Sequence, residues 1–173
     1  MGEIQPTRSE LLETNRKIRL TINGHKILKL KRDGLILEFF KILEESKDIR
    51  GEIAARYSAA MEKIAVADAV DGVIAVRSAA LAITTAPKIE LFTRNLMGVV
   101  VPEIESTTIH TAPEDRGYGL LGTSPHIDLA TTSFQKLVET VVKAAELETT
   151  MRRLLEEIER TKRRVNALEF KVL

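Results

Sequence analysis

The chain has 173 residues, and its 26 Lys and Arg against 25 Asp and Glu leave a net charge of only +1 although 29% of the residues are charged. That balance argues against a dedicated nucleic-acid binder, whose affinity rests on an excess of cations meeting phosphates, and the absence of cysteine excludes a disulfide framework, a thiolate zinc site and a cysteine nucleophile. Hydrophobic residues reach 44% with aromatics at 4% and no Trp, so the apolar content is aliphatic, which suits helix packing and argues against disorder.

The first twenty residues are charged throughout and lack the apolar core of a signal peptide. The most apolar window, 72–86, is interrupted by Arg77 and falls short of the roughly 18–20 residues a spanning helix needs. A soluble, cytoplasmic chain with no direct membrane insertion is expected. Prolines at 6, 87, 102, 113 and 125 leave two long proline-free tracts, 7–86 and 126–173, on either side of a stretch rich in turn-formers. The expected fold is predominantly all-α: a long antiparallel two-helix coiled coil with a small middle insert, a short helix plus a β-hairpin. Its three parts are an N-terminal long helix over 1–69, the insert over 70–130 and a C-terminal long helix over 131–173.

The first helix opens on Thr7-Arg8-Ser9-Glu10, which fits a capping box. Core candidates then follow in alternating steps of four and three: Leu11, Asn15, Ile18, Ile22, His25, Lys29, Arg32, Ile36, Phe39, Leu43, Ser46, Arg50, Ile53, Tyr57, Ala60, Ile64 and Ala67. This period of 3.5 is that of a coiled-coil seam, widened on one side by Leu28, Leu35, Ile42 and Ile49. Its polar members weaken the seam and fix its register, while Gly24, Gly34 and Gly51 each cost up to about 1 kcal/mol of helix propensity. In the insert, 71–85 reads as a short helix ended by Pro87. The β-prone runs 89–92 and 99–101 around Asn95 and Gly98 read as a hairpin or bent strand pair, and 103–125 as loop. The last helix is expected to start at a second capping box, Thr132-Ser133-Phe134-Gln135. Its seam runs through Phe134, Leu137, Val141, Ala144, Glu148, Met151, Leu155, Ile158, Lys162, Val165, Glu169 and Val172, with Leu147, Leu154 and Leu168 beside it.

No catalytic, cofactor-binding or metal-binding residue is assigned, and no cofactor is expected. Gly117-Tyr118-Gly119-Leu120-Leu121-Gly122 matches GxGxxG, but a loop precedes it where a dinucleotide fingerprint needs a strand, so a Gly-rich loop is the preferred reading. Ser133 and Lys136 have the spacing of a serine-lysine pair without its companion motifs, and capping explains Ser133. His25, His110 and His126 are far apart in sequence, with no metal-ligand spacing. The basic runs 162–164 and 29–32 read as solvated or protein-facing helix surface, because Glu156, Glu157 and Glu159 lie one turn before the former.

Three stretches resemble one family. Pro6-Thr7-Arg8 followed by Leu11 and Leu12 is similar to its start. Lys31-Arg32-Asp33-Gly34-Leu35 leading into Glu38-Phe39-Phe40 is similar to its helix-one signature, with Gly34 where Ala is more usual. The most specific stretch is Thr161-Lys162-Arg163-Arg164-Val165-Asn166-Ala167-Leu168-Glu169, which resembles T-x-RRVNALE. The family is that of the D subunits of the archaeal (A-type) and vacuolar-type (V-type) rotary ATP synthases and ATPases. The resemblance implies a non-catalytic rotor shaft of the central stalk, coupling rotation to ATP synthesis or hydrolysis and to ion transport. It implies as partners the catalytic A and B subunits, whose hexamer surrounds the coiled coil, the F subunit on its side, and the C subunit linking it to the membrane ring. The expected location is peripheral, on the cytoplasmic side of the cell membrane. A coiled-coil scaffold or tether unrelated to rotary motors would share the periodicity but not T-x-RRVNALE.

The family's second helix runs several turns beyond the position of Leu173, so a truncated form is expected. If Ala67 lies opposite Thr131, antiparallel partners have numbers summing to about 198. Leu11, Ile18 and Ile22 then lack an intramolecular partner, and these turns are expected to fray or to pair with a second copy.

Overall fold

The computed structural model describes residues 7–83, 88–106, 116–119 and 123–172. In chain order they form α1 (Arg8–Asp71), α2 (Val73–Ala82), β1 (Ile89–Leu96), β2 (Val99–Ser106) and α3 (Pro125–Val172). The expected architecture is present: two long helices pack on each other, with a short helix and an antiparallel hairpin between them in sequence.

Helix α1 runs unbroken for 64 residues, about 96 Å at 1.5 Å per residue. Thr7 caps it as the sequence predicts, its hydroxyl accepting from the Glu10 amide at 3.3 Å. At the other end the Gly72 amide donates to the Asp68 carbonyl at 3.1 Å, and the chain turns into α2. Helix α3 begins earlier than expected. Its start is Pro125, with the Ser124 hydroxyl accepting from the His126 amide at 3.2 Å, so Thr132-Ser133-Phe134-Gln135 lies inside the helix and caps nothing. Serine followed by proline is itself a helix-start signal, because proline's missing N–H costs nothing at the first helical position. The Ser124 hydroxyl also bonds Asp71, which ties the start of α3 to the end of α1.

The helices run antiparallel. Lys63 donates to Ser133 Oγ at 2.7 Å, Arg50 to Glu148 at 2.8 Å and Lys31 to Glu157 at 3.1 Å, so α1 numbers fall as α3 numbers rise. Arg50 and Glu148 fall on the expected register sum of 198, but Lys63 with Ser133 gives 196 and Lys31 with Glu157 gives 188. Toward the start of α1 the register therefore departs from the expected one, and Ile18 and Ile22 fall opposite about 170 and 166 rather than beyond Leu173. The buried seam keeps the predicted period, but many positions, especially in α3, are one residue earlier than the sequence reading placed them. In α3 the inward residues are Ser133, Leu137, Thr140, Thr150, Leu154, Thr161 and Val165, whereas Val141 and Leu155 are 46% and 45% exposed. Glu148, Lys162 and Glu169 are likewise exposed. In α1 Leu35, expected beside the seam, is fully buried and takes the central place given to Ile36, and Tyr57 is 53% exposed.

The reason is that threonine hides its polarity inside a helix. Thr140 Oγ1 donates to the Lys136 carbonyl at 3.0 Å and Ser133 Oγ to the Leu129 carbonyl at 2.9 Å, which leaves a small, methyl-sized face for the partner helix. No buried side-chain polar atom lacks a partner among the described residues. At the far end of α1, Leu11, Leu12, Ile18 and Leu20 are 62%, 63%, 47% and 63% exposed.

Candidate functional site: the hairpin seat, the head clamp and the basic end of the rod

The hairpin joins eight residues on each strand in register from Ile89↔Ser106 to Leu96↔Val99. Strand β2 therefore extends through 103–106, which the sequence reading assigned to loop. Its turn is Met97-Gly98, both with positive φ, 51° and 85°. A two-residue turn with positive φ at both positions matches the right-handed twist of the strands, and glycine at the second position makes it inexpensive. Asn95 Oδ1 accepts from the Gly98 amide at 2.8 Å and closes the turn.

Side chains of α1, β2 and α3 fix this hairpin to the rod. Leu35 and Leu154 are fully buried, Val101 is 1% exposed and Val99 8%, and Phe39, Ile42, Leu96 and Ile158 pack around them. Burying each aliphatic side chain stabilises the seat by roughly 1.5–3 kcal/mol. Arg153 donates to the Val100 carbonyl at 2.6 Å. A Cβ built on Gly34 would stand 2.5 Å from the Met97 methyl carbon, so the glycine in the second family-like stretch makes room for the turn. Lys31, in the same stretch, holds Glu157 across the helix pair. Strand β2 carries the contact with α3, while β1 is exposed along nearly its whole length.

At the opposite, closed end a polar clamp holds residues 116–119 on α3. The Arg116 guanidinium, 7% exposed, donates to Asp128 Oδ1 at 2.9 Å and to Thr132 Oγ1 at 3.0 Å. Tyr118 donates to the same Asp128 oxygen at 2.7 Å, and its ring packs with Ala67, Ala79 and Ile127. A buried guanidinium with both faces of its fork satisfied costs little, whereas losing one partner would strand the charge. Gly117 has φ 88°, and a Cβ there would come within 2.6 Å of the Ala82 carbonyl oxygen. This fixes the end of α2 against the loop. Sequence reasoning missed the clamp, because Arg116, Tyr118 and Asp128 come from a loop and a helix whose proximity no local pattern reveals.

The remaining sequence candidates separate in space. Gly117, Tyr118 and Gly119 belong to the clamp rather than to a strand-to-helix turn, and 120–122 lie outside the described residues. Ser133 is bonded by Lys63 of α1, not by Lys136. His126 lines a shallow depression of about 240 Å³ with Glu62, Lys63, Val66 and Leu129, His25 lies on α1, and His110 is outside the described residues. No group of three or more metal-ligating side chains occurs among the described residues. In the third family-like stretch Thr161 and Val165 point into the seam at 1% and 3% exposure, while Lys162, Arg163 and Arg164 are exposed. The motif thus has one face for the helix partner and a cationic face turned outward. No helix among the described residues is long and apolar enough to cross a membrane.

The sequence family described as the ATP synthase D subunit matches residues 10–173. The D subunit of the A-type ATP synthase of Methanoregula boonei is 59% identical over 173 residues, which cover 100% of this chain and 83% of that protein. That of Methanococcoides burtonii is 57% identical over 99% of this chain and 83% of its own length. That of Archaeoglobus fulgidus is 50% identical over 100% of this chain and 83% of its own length. With a rod of two long helices, a seated hairpin and a match along almost its whole length, the chain belongs to the family of ATP synthase D subunits.

Proposed function

We propose that this chain is the central-stalk shaft of a rotary ATP synthase, transmitting rotation between the catalytic head and the membrane ring without performing bond chemistry itself. The observation that carries the reading is the 64-residue helix braced by a 48-residue partner in a member of the family of ATP synthase D subunits. Two braced helices resist bending, which a single helix of this length does not. Their surface is different on every side: a hairpin on one flank, a cationic patch at 162–164 and a polar clamp at the closed end. An asymmetric rod presents a changing surface to the proteins around it as it turns, which is what sequential driving of equivalent catalytic sites requires.

In this reading the coiled coil stands inside the hexamer of A and B subunits, the F subunit binds its side, and the C subunit connects its lower end to the membrane ring. The assembly is peripheral on the cytoplasmic face. The hairpin, seated on the rod but not needed for helix pairing, contacts the F subunit or the rim of the hexamer. The test is reconstitution. The chain should co-purify with the A/B hexamer and the F subunit and make ATP hydrolysis by that complex rotation-coupled, while showing no nucleotide affinity alone. Failure to enter the complex, or nucleotide binding by the isolated chain, would overturn the reading.

A further inference from the structure

The two edges of the hairpin are not equivalent. In an antiparallel pair, residues alternate between those whose backbone groups bond the partner strand and those whose groups point away. The two-residue turn makes Leu96↔Val99 a bonded pair, so the even residues of β1 face β2 and the odd ones, Ile89, Leu91, Thr93 and Asn95, turn their N–H and C=O groups outward. On β2 the outward-turned groups belong to Val100, Pro102 and Ile104. There the Val100 carbonyl is already held by Arg153 at 2.6 Å, and Pro102 has no N–H to offer. The β2 edge therefore lacks two of the groups that another strand would need. Among the described residues no strand pairs with the outer edge of β1, and Ile89, Leu91 and Phe92 are 44%, 69% and 48% exposed beside it. Open edges of this kind recruit another strand.

The sequence of β1 says which strand fits. Glu90-Leu91-Phe92-Thr93-Arg94 is self-complementary when reversed: with Phe92 opposite Phe92 of a second copy, Glu90 stands across from the copy's Arg94 and Arg94 from the copy's Glu90. In that register Leu91 exchanges backbone bonds with the copy's Thr93, and Ile89 with its Asn95, so every outward group finds its complement. The two Phe92 rings meet at a non-bonded pair, where cross-strand side chains come closest. Arg94 is available for the exchange, since its link to Glu103 is 3.8 Å long with the two side chains 59% and 46% exposed.

We propose that β1 is a two-fold docking edge for a second copy of this chain, forming a four-stranded sheet across the dimer. This holds independently of the shaft role. In a complex with a single shaft, it describes the chain before assembly.

The test uses sedimentation velocity on the whole chain up to high micromolar concentration. The wild-type protein should dimerise reversibly. Thr93→Pro removes only an outward N–H and leaves the hairpin bonds to β2 intact, so it should abolish the dimer while the near-native hairpin signals persist. E90R and R94E should each weaken the dimer about tenfold, because two like-charge pairs then oppose each other. An equimolar mixture of E90R and R94E should restore association as a heterodimer, since at positions 90 and 94 each arginine of one chain then faces a glutamate of the other. A wild-type chain that stays monomeric overturns the proposal. So does a dimer untouched by Thr93→Pro, which would be held elsewhere, for instance by the exposed Leu11 to Leu20 turns. Failure of the mixture to restore binding overturns it as well.

Discussion

Truncating Leu154 and Leu155 separately gives the sharpest test of which face of α3 meets α1. The two leucines are adjacent and chemically identical, yet Leu154 is fully buried and Leu155 is 45% exposed. Leu154 sits where α1, α3 and the hairpin converge, against Leu35, Val99 and Val101, and three separately anchored elements cannot all move in to fill a void. Leu154→Ala should therefore cost about 3–5 kcal/mol, the transfer loss plus a cavity that relaxes poorly. Leu155→Ala removes side-chain surface that is already half in water and replaces it with the best helix former, so its cost should stay below about 1 kcal/mol. Urea unfolding followed by far-ultraviolet circular dichroism resolves the pair. With slopes of about 1–3 kcal/mol per molar urea, the Leu154 variant should unfold at least about 1 M earlier than wild type and the Leu155 variant close to it. Equal costs, or a larger cost at Leu155, would show that the seam faces the other way and would refute the packing described above.

Thr140→Val should be neutral or stabilising by up to about 1 kcal/mol in the same assay, because the hydroxyl bonds only its own helix and valine fills the same inward space. Gly34→Ala should raise stability by about 0.5 kcal/mol: the helix gains propensity and only the flexible tip of Met97 must move, visible as a shifted Met97 methyl resonance. Gly117→Ala should instead cost about 1–3 kcal/mol, since its φ of 88° and the rigid Ala82 carbonyl both oppose a Cβ. At the start of α1, a hydrogen bond and then the charge of Lys17 lower the Glu13 carboxyl pKa, and the same contacts with Glu13 raise the Lys17 pKa. A lowered carboxyl supports the helix above its unfolded pKa and loses that support as pH falls through the folded one. A raised ammonium does the reverse, losing support as pH climbs through its folded pKa. Protection of the amides across residues 13–18, taken as the exchange rate relative to the intrinsic rate at each pH, should accordingly fall at both acid and alkaline extremes and be greatest between them.

Local signals in this chain could be read because the relevant physics is local. Thr7 is a cap because its hydroxyl and the Glu10 amide are three residues apart, and the Met97-Gly98 turn follows from a glycine between two β-prone runs. The seam was legible in period but not in phase. Choosing Val141 over Thr140 follows hydrophobicity, and placing Leu155 rather than Leu154 in the seam follows from the phase so set, whereas burial followed geometry, with Thr140 made apolar by bonding back to its own helix. Glu148, Lys162 and Glu169 in the inferred seam were the sign of the error, and Leu147, Leu154 and Leu168, at heptad spacing beside it, were the remedy. The Arg116 clamp and the fit of Met97 over Gly34 join residues far apart in sequence, and no single-chain pattern encodes such meetings.

The side chains between the long helices change in size along the rod. Near the closed end the buried contacts are Ala60, Ala67, Ala130 and Ser133, whereas at the hairpin seat they are Leu35, Leu154 and the flanking Phe39 and Ile158. Small residues let helix axes approach and large ones hold them apart, within a range of roughly 8–10 Å. A pair of bound rods resists torque through the lever arm between them, so the same load twists a stretch with closer axes further than one with wider axes. If the axes follow these side-chain sizes, compliance to twist would gather toward the closed end, and the hairpin seat would be the stiffer collar.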